Sequence, residues 1–488
     1  MVMLPKCKNE GLCEMPDVSY FFAKSIDFFV YLCYNSKKER SVCVIMDNRF
    51  PRFVSSDEQL NITYQYRCEL YGRHIKETPA GRVITEFLPE VRWAGLYNTI
   101  SCAASHHFRD GRWMRDAAPL AEYARFWCTE GNPRLYSFPL ADSVLALGKV
   151  TGDFAVAEGL YPRLREIYRA WDDHKTESGL YTQLCDRDGM EFSISGDGLR
   201  PTINAYMAAD GYALARIAER VGDPEGALAY RAEADGLRNL INERLWIETI
   251  QMYGTLAEDG TPQNVREQVG FIPWMYGLAA EGRDACFRHL LDPACFLAPA
   301  GLRTADAGHP EYMKPFPHSC LWNGPVWPFA TAQTLTAVIE YLHTEAHPVI
   351  TSEDFMKLLL QYAYSHRDTD GSPYLDENMH PDTGIWLARQ LLRESNYYLP
   401  DRGRHYNHST FIDLVMTGIC GIRPAEGDEL VICPLGTALD FFAAEDIPYH
   451  GHLLGIFWDK TAGLRVTVDG CERVSLPASE AVSAVVQL

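Results

Sequence analysis

The hexapeptide VGDPEG, residues 221–226, decides how the middle of this sequence is read. Gly222 suits the left-handed position that closes a helix, Asp223 can accept from the free amides of the next helix, and Pro224 fits a first turn. One helix therefore stops where another begins. Upstream, Ile203, Tyr206, Met207, Leu214, Ile217, Ala218 and Val221 share one helical face; downstream, Tyr230, Ala234, Leu237, Ile241 and Leu245 repeat the pattern. The same punctuation recurs in VTGDFAVAEG, residues 150–159, where Gly152 and Asp153 precede another helical stretch. Two such junctions predict antiparallel helical hairpins laid side by side.

Further helices are predicted at residues 120–128, 326–343, 354–363 and 410–420. Beyond GICGIRPAEGD the pattern changes: ELVICPL, LLGIFWD, GLRVTVDG and ERVSL are short alternating runs between turn residues, as expected of strands. The expected organisation is an N-terminal segment of unassigned role (1–63), an all-α body (64–422) and a small β appendage (423–488).

With 488 residues, 47% of them hydrophobic, the chain can bury a large core. Its net charge of −20 repels nucleic acid and anionic lipid and suits a neutral or cationic small substrate. The apolar run Tyr20–Tyr34 is broken by Lys24 and Asp27 and is too short to cross a bilayer. No clean signal-peptide cleavage site follows it, so the expectation is a cytoplasmic protein without a membrane partner. The 14 cysteines form no C-x-x-C pair, and Cys7, Cys13, Cys33 and Cys43 crowd the start; they read as reduced thiols, with no metal and no cofactor expected.

Three segments could carry chemistry. YLDENMHPDTG, residues 374–384, places Asp376 and Glu377 on a stretch with neither helical nor strand period. CDRDGMEFSISGDGLRPTINAY, residues 185–206, sets Asp186, Asp188, Glu191 and Asp197 among glycines just before a helix, with a spacing that does not fit a calcium loop. In CLWNGPVWPFATAQTL, residues 320–335, Trp322 and Trp327 flank Asn323; the indoles offer flat faces for the C–H side of a sugar and the amide offers partners for hydroxyls.

WNGPVWP, residues 322–328, resembles the W-x-G-P-x-W signature of inverting glycosidases built on an (α/α)6 barrel, the group holding glycoside hydrolase family sixty-three, trehalases and mannosylglycerate hydrolases. DGMEFS is similar to that group's general-acid segment, which implies Glu191 as the acid; ENMHPDTG is similar to its general-base segment, which implies Glu377 as the base. The resemblance runs from residue 64 to residue 459 and includes GRHYNHSTFIDLV and YHGH. Two positions depart from it. A Glu replaces the usual Asp at the acid position, which leaves Asp188 as the alternative acid, and Ala94 follows Trp93 where the group has a Trp-Asp sugar contact.

What the resemblance implies is an inverting hydrolase of an α-linked glucoside or mannoside. Inversion needs one protonated carboxyl at the leaving oxygen and one ionised carboxylate to activate water on the opposite ring face. Met190, Phe192 and Ile194 are expected to wall Glu191 and hold it protonated, with Glu377 in a wetter place. Trp322, Asn323, Trp327 and Trp113 are expected at the sugar; Arg200 and Asn204 are expected either to hold hydroxyls or to brace the acid loop. His106 and His107, adjacent in an extended reading, cannot share a metal, and His405 with His408 read as hydrogen-bonded structure. The rival readings are a sugar epimerase or isomerase, which needs paired histidines, and a carbohydrate-binding protein without catalysis.

Overall fold

The computed structural model describes residues 48–478 and 482–488, so the four N-terminal cysteines and the Tyr20–Tyr34 run lie outside the described residues. The helices are α1 (Glu58–His74), α2 (Ala104–Gly111), α3 (Ala118–Thr129), α4 (Leu140–Thr151), α5 (Ala155–Ala170), α6 (Pro201–Val221), α7 (Pro224–Leu240), α8 (Ile272–Met275), α9 (Pro328–Thr344), α10 (Ser352–Ser365), α11 (Leu387–Glu394) and α12 (Phe411–Leu414). At the α6–α7 junction Gly222 adopts φ +75°, and Asp223 Oδ1 accepts from the Gly226 amide at 2.9 Å. At the α4–α5 junction Gly152 adopts φ +73°.

Helix α6 is buried on nearly every face, because it packs against α4, α5, α7 and α8. Each fully buried side chain such as Ile203, Leu214 or Ile217 contributes about 1.5–3 kcal/mol relative to an exposed one. Contacts run from α2 to α4, α6, α8, α9 and α12 in turn, and from α12 back to α2; α5, α7 and α10 lie against members of that series, and α3 lies against α5. The predicted helix at 410–420 is α12 continued by a wider π turn, Val415–Ile419.

The β region has a five-stranded antiparallel sheet, in the order Arg52–Ser55, Phe441–Tyr449, His452–Asp459, Gly463–Val468 and Cys471–Leu476. A three-stranded sheet joins Ala484–Gln487, Glu429–Ile432 and Ile422–Arg423. The boundary expected at residue 63 falls inside α1, and the strand before α1 pairs with Phe441–Tyr449 through Phe53 and Ala444. Residues from both ends of the described chain thus build one sheet. Among the described residues no helix is long and apolar enough to cross a membrane.

The loops that matter enter α6 and α9 at their N-terminal ends and leave α10 at its C-terminal end. The Tyr362 hydroxyl of α10 donates to the Pro328 carbonyl at 2.9 Å, tying the last of these ends to the start of α9.

Candidate active site

The loop that carries Glu191 is pinned by Asp188. Its carboxylate accepts from Arg200 Nε at 2.6 Å, from Ser137 Oγ at 2.7 Å and from the Thr202 hydroxyl, and both members of the ion pair are fully buried. Arg200 also reaches Ser193 Oγ at 3.4 Å and the Gly196 carbonyl. Asp188 is thereby committed to holding the loop. Removing one partner of a buried ion pair strands the other charge and costs about 3–5 kcal/mol. Asp188→Asn is expected to lower the urea midpoint of unfolding accordingly, and an unchanged midpoint would contradict this bracing role.

Three residues past this anchor, Glu191 is half-buried and its carbonyl accepts from the Trp322 amide at 3.1 Å. Glu377 belongs to the loop after α10, where Val326 and Met379 exchange both backbone hydrogen bonds at 3.0 Å. The Trp322–Trp327 segment therefore splices the two carboxylate loops together. Its own shape depends on Gly324 at φ +142°, where a Cβ would lie 2.5 Å from the Tyr312 ring.

Both carboxyls face one cavity of about 680 Å³. Glu377 Oε2 accepts from Arg402 Nη2 at 3.1 Å and lies 3.6 Å from the Cys320 thiol, while Asp376 takes the Glu377 amide at 2.8 Å. Arg402 in turn lies over the Trp93 and Tyr397 rings. Glu191 is not part of any ion pair among the described residues. Burial pushes its carboxyl up to about 7, and the nearby Asp186 and Glu377 charges act in the same direction. Burial likewise raises Asp376 to about 6.

Of the sugar contacts expected from the sequence, Trp327 lines the cavity. Trp322 stacks behind it, with ring centroids 4.3 Å apart. Asn323 donates to the Lys314 carbonyl at 2.8 Å and sits in the turn, away from the cavity. Trp113 is fully buried and donates to Asp413 at 2.7 Å; Asn204 bridges Tyr181 and the Arg200 carbonyl. Of the two roles foreseen for Arg200 and Asn204, the hydrogen bonds correspond to bracing.

The apolar walls also differ from expectation. Met190 is buried in one cluster with Ile100, Tyr136 and Trp327, of which the last three line the cavity; Phe192 is exposed and stacks on Phe316, and Ile194 is tied by its amide to Glu267. Glu377 sits in a dry, ion-paired setting rather than a wetter one, at 1% exposure.

His106 and His107 stand on α2 rather than on extended chain, bonded to the Phe329 and Asn407 carbonyls respectively. His405 and His408 lie outside any helix. Glu86, Trp93 as a wall residue, Arg402 and Tyr406 are cavity residues that sequence reasoning passed over. The signal available was the proximity of RHYNHS to the base segment, which by itself names no role.

Comparison with known proteins identifies the family. The family model of the mannosylglycerate hydrolase MGH1-like glycoside hydrolase domain matches residues 96–409. No curated protein matches the sequence. Among solved structures, one described as "Sialidase" is 35% identical with a TM-score of 0.84, over 90% of this chain and 41% of that one. The GH78 family rhamnosidase of a Bacillus species shares the fold at 13% identity and TM-score 0.57, over 86% of this chain and 42% of that one. The GH63 mannosylglycerate hydrolase from Thermus thermophilus, in complex with Tris and D-glycerate, shares it at 14% identity and TM-score 0.54, over 73% of this chain and 100% of that one. The chain thus spans less than half the length of the first two. Since the family model covers well over half of its residues, the chain belongs to the MGH1-like glycoside hydrolase domain family.

Proposed function

We propose that this chain is an inverting glycoside hydrolase on an (α/α)6 barrel, with α2, α4, α6, α8, α9 and α12 as the inner helices, acting on an α-linked glucoside or mannoside. Support for the barrel comes from the series of helix contacts that returns to α2. One observation carries the reaction: two carboxyls share a cavity in opposite settings, Glu191 raised by burial and without an ion pair among the described residues, Glu377 held by a guanidinium. In this reading Glu191 gives its proton to the glycosidic oxygen as the bond breaks. Glu377 takes a proton from a water that attacks the anomeric carbon from the other face. The Trp327 and Trp93 rings supply apolar faces for the sugar.

The choice among glucosides and mannosides draws on the neighbouring mannosylglycerate hydrolase. An epimerase would need paired proton-transferring histidines, whereas His318 is the single histidine among the described cavity residues. Following hydrolysis of 4-nitrophenyl α-glucoside and α-mannoside by proton NMR is expected to show the β-anomer of the free sugar first. Initial appearance of the α-anomer would overturn inversion, and ligand binding with no sugar released would favour a non-catalytic binding protein.

A further inference from the structure

Glu86 and Asp186 also line the cavity wall, and the two-acid reaction leaves the buried Glu86 unused. It follows the short hairpin of Ile75–Thr78 and Gly81–Ile84, and its carbonyl accepts from the Asn407 amide at 3.0 Å. The residue is 2% exposed. The Tyr406 hydroxyl donates to Oε1, and His408 Nδ1 stands 3.0 Å from the same oxygen. Burial drives His408 well below the ordinary imidazole value, so it is neutral, and among the described residues no Lys or Arg pairs with Glu86.

A carboxyl buried without a cation is costly, and an apolar side chain of similar size would fill the same space at no such cost. A carboxyl perturbed by burial and facing a cleft is a functional-site candidate. Burial pushes Glu86 up to about 8, so at neutral pH it carries a proton and can both donate and accept. A pair of neighbouring sugar hydroxyls asks for that combination. Beside it, Phe87 packs on Tyr406 with ring centroids 4.8 Å apart and meets the Trp93 edge at 5.7 Å, giving flat apolar surface for the C–H side of a ring.

We propose that Glu86, oriented by Tyr406, holds hydroxyls of the sugar ring at the reacting subsite and so determines which sugar is accepted. This rests on the hydrolase reading and adds a specificity residue to it. The test uses 4-nitrophenyl α-glucoside and α-mannoside, the monodeoxy derivatives of whichever is cleaved, and free glucose and mannose in calorimetric titrations. Wild type is expected to lose about 10- to 100-fold in kcat/KM on the derivative lacking the hydroxyl that Glu86 holds. In Glu86→Ala that penalty is expected to vanish.

Glu86→Leu keeps comparable bulk and removes both polar atoms, so it serves if the alanine variant does not fold; its penalty is expected to vanish as well. Equal penalties in wild type and in either variant that folds would overturn the proposal. If no glycoside is cleaved but hexose affinity falls tenfold or more in the variants, the hydrolase reading fails and the sugar-holding role stands. Hexose affinity that is absent or unchanged, again without cleavage, would overturn the role as well.

Discussion

Glu377→Gln is expected to lower kcat by about 10²- to 10⁴-fold, the range a positioned general base contributes, while the Kd for substrate holds. Gln occupies the same space and can still accept from Arg402, so the cavity keeps its shape, but it cannot take a proton from water. Because Arg402 is buried against Trp93 and Tyr397, losing the negative partner leaves its charge exposed to a low-dielectric setting. Thermal unfolding of the variant separates that stability cost from the catalytic one. A folded E377Q enzyme with kcat near wild type would remove Glu377 from the reaction and move attention to Asp376, the preceding residue of the same loop.

The parts of this architecture that were legible in the sequence are the local ones. Gly222, Asp223 and Pro224 act within one turn, so their residue types alone specify a stop and a start. The period of α6 was equally readable, although its burial on nearly every face follows from its neighbours and not from its own pattern. The four-residue strand RFVS, at 52–55, carries too little alternation to be found without its partner at 442–445.

In the site, Glu191 and Glu377 were reached through three short segments taken together. The geometry gives the middle segment a different emphasis: WNGPVWP joins the two carboxylate loops through backbone hydrogen bonds, and only its last indole reaches the cavity. A sequence cannot say which side of a turn faces a ligand, and so Trp322 and Asn323 read the same as Trp327. Arg200 is the converse case. From the sequence it could equally hold a sugar or brace the loop, and it is fully buried because Asp188, twelve positions earlier, returns to meet it. Glu86 and Arg402 come from irregular backbone more than 300 residues apart, and nothing local distinguishes them from surface charges.

The pH profile is expected to show a basic limb in kcat/KM near pH 7, set by the proton on Glu191. The acid must be protonated to act, so activity is present below that value and is lost as pH rises through it. Burial is the main cause of the raised value, with Asp186 and Glu377 adding repulsion. Asp186→Asn removes one of those charges and makes ionisation of Glu191 easier, so the limb is expected to move to lower pH. Glu191→Gln is expected to lose about 10²- to 10⁴-fold on glycosides with alkyl aglycones and to show no basic limb. An aryl glycoside with a strongly acidic leaving group needs no proton at the departing oxygen, so the same variant is expected to cleave it at near wild-type rate. A variant equally impaired on both kinds of substrate would mean that Glu191 holds the loop or the sugar and that another group supplies the proton. Because Asp188 is locked against Arg200, that group would have to be Asp186 or Glu86 among the carboxyls lining the cavity wall.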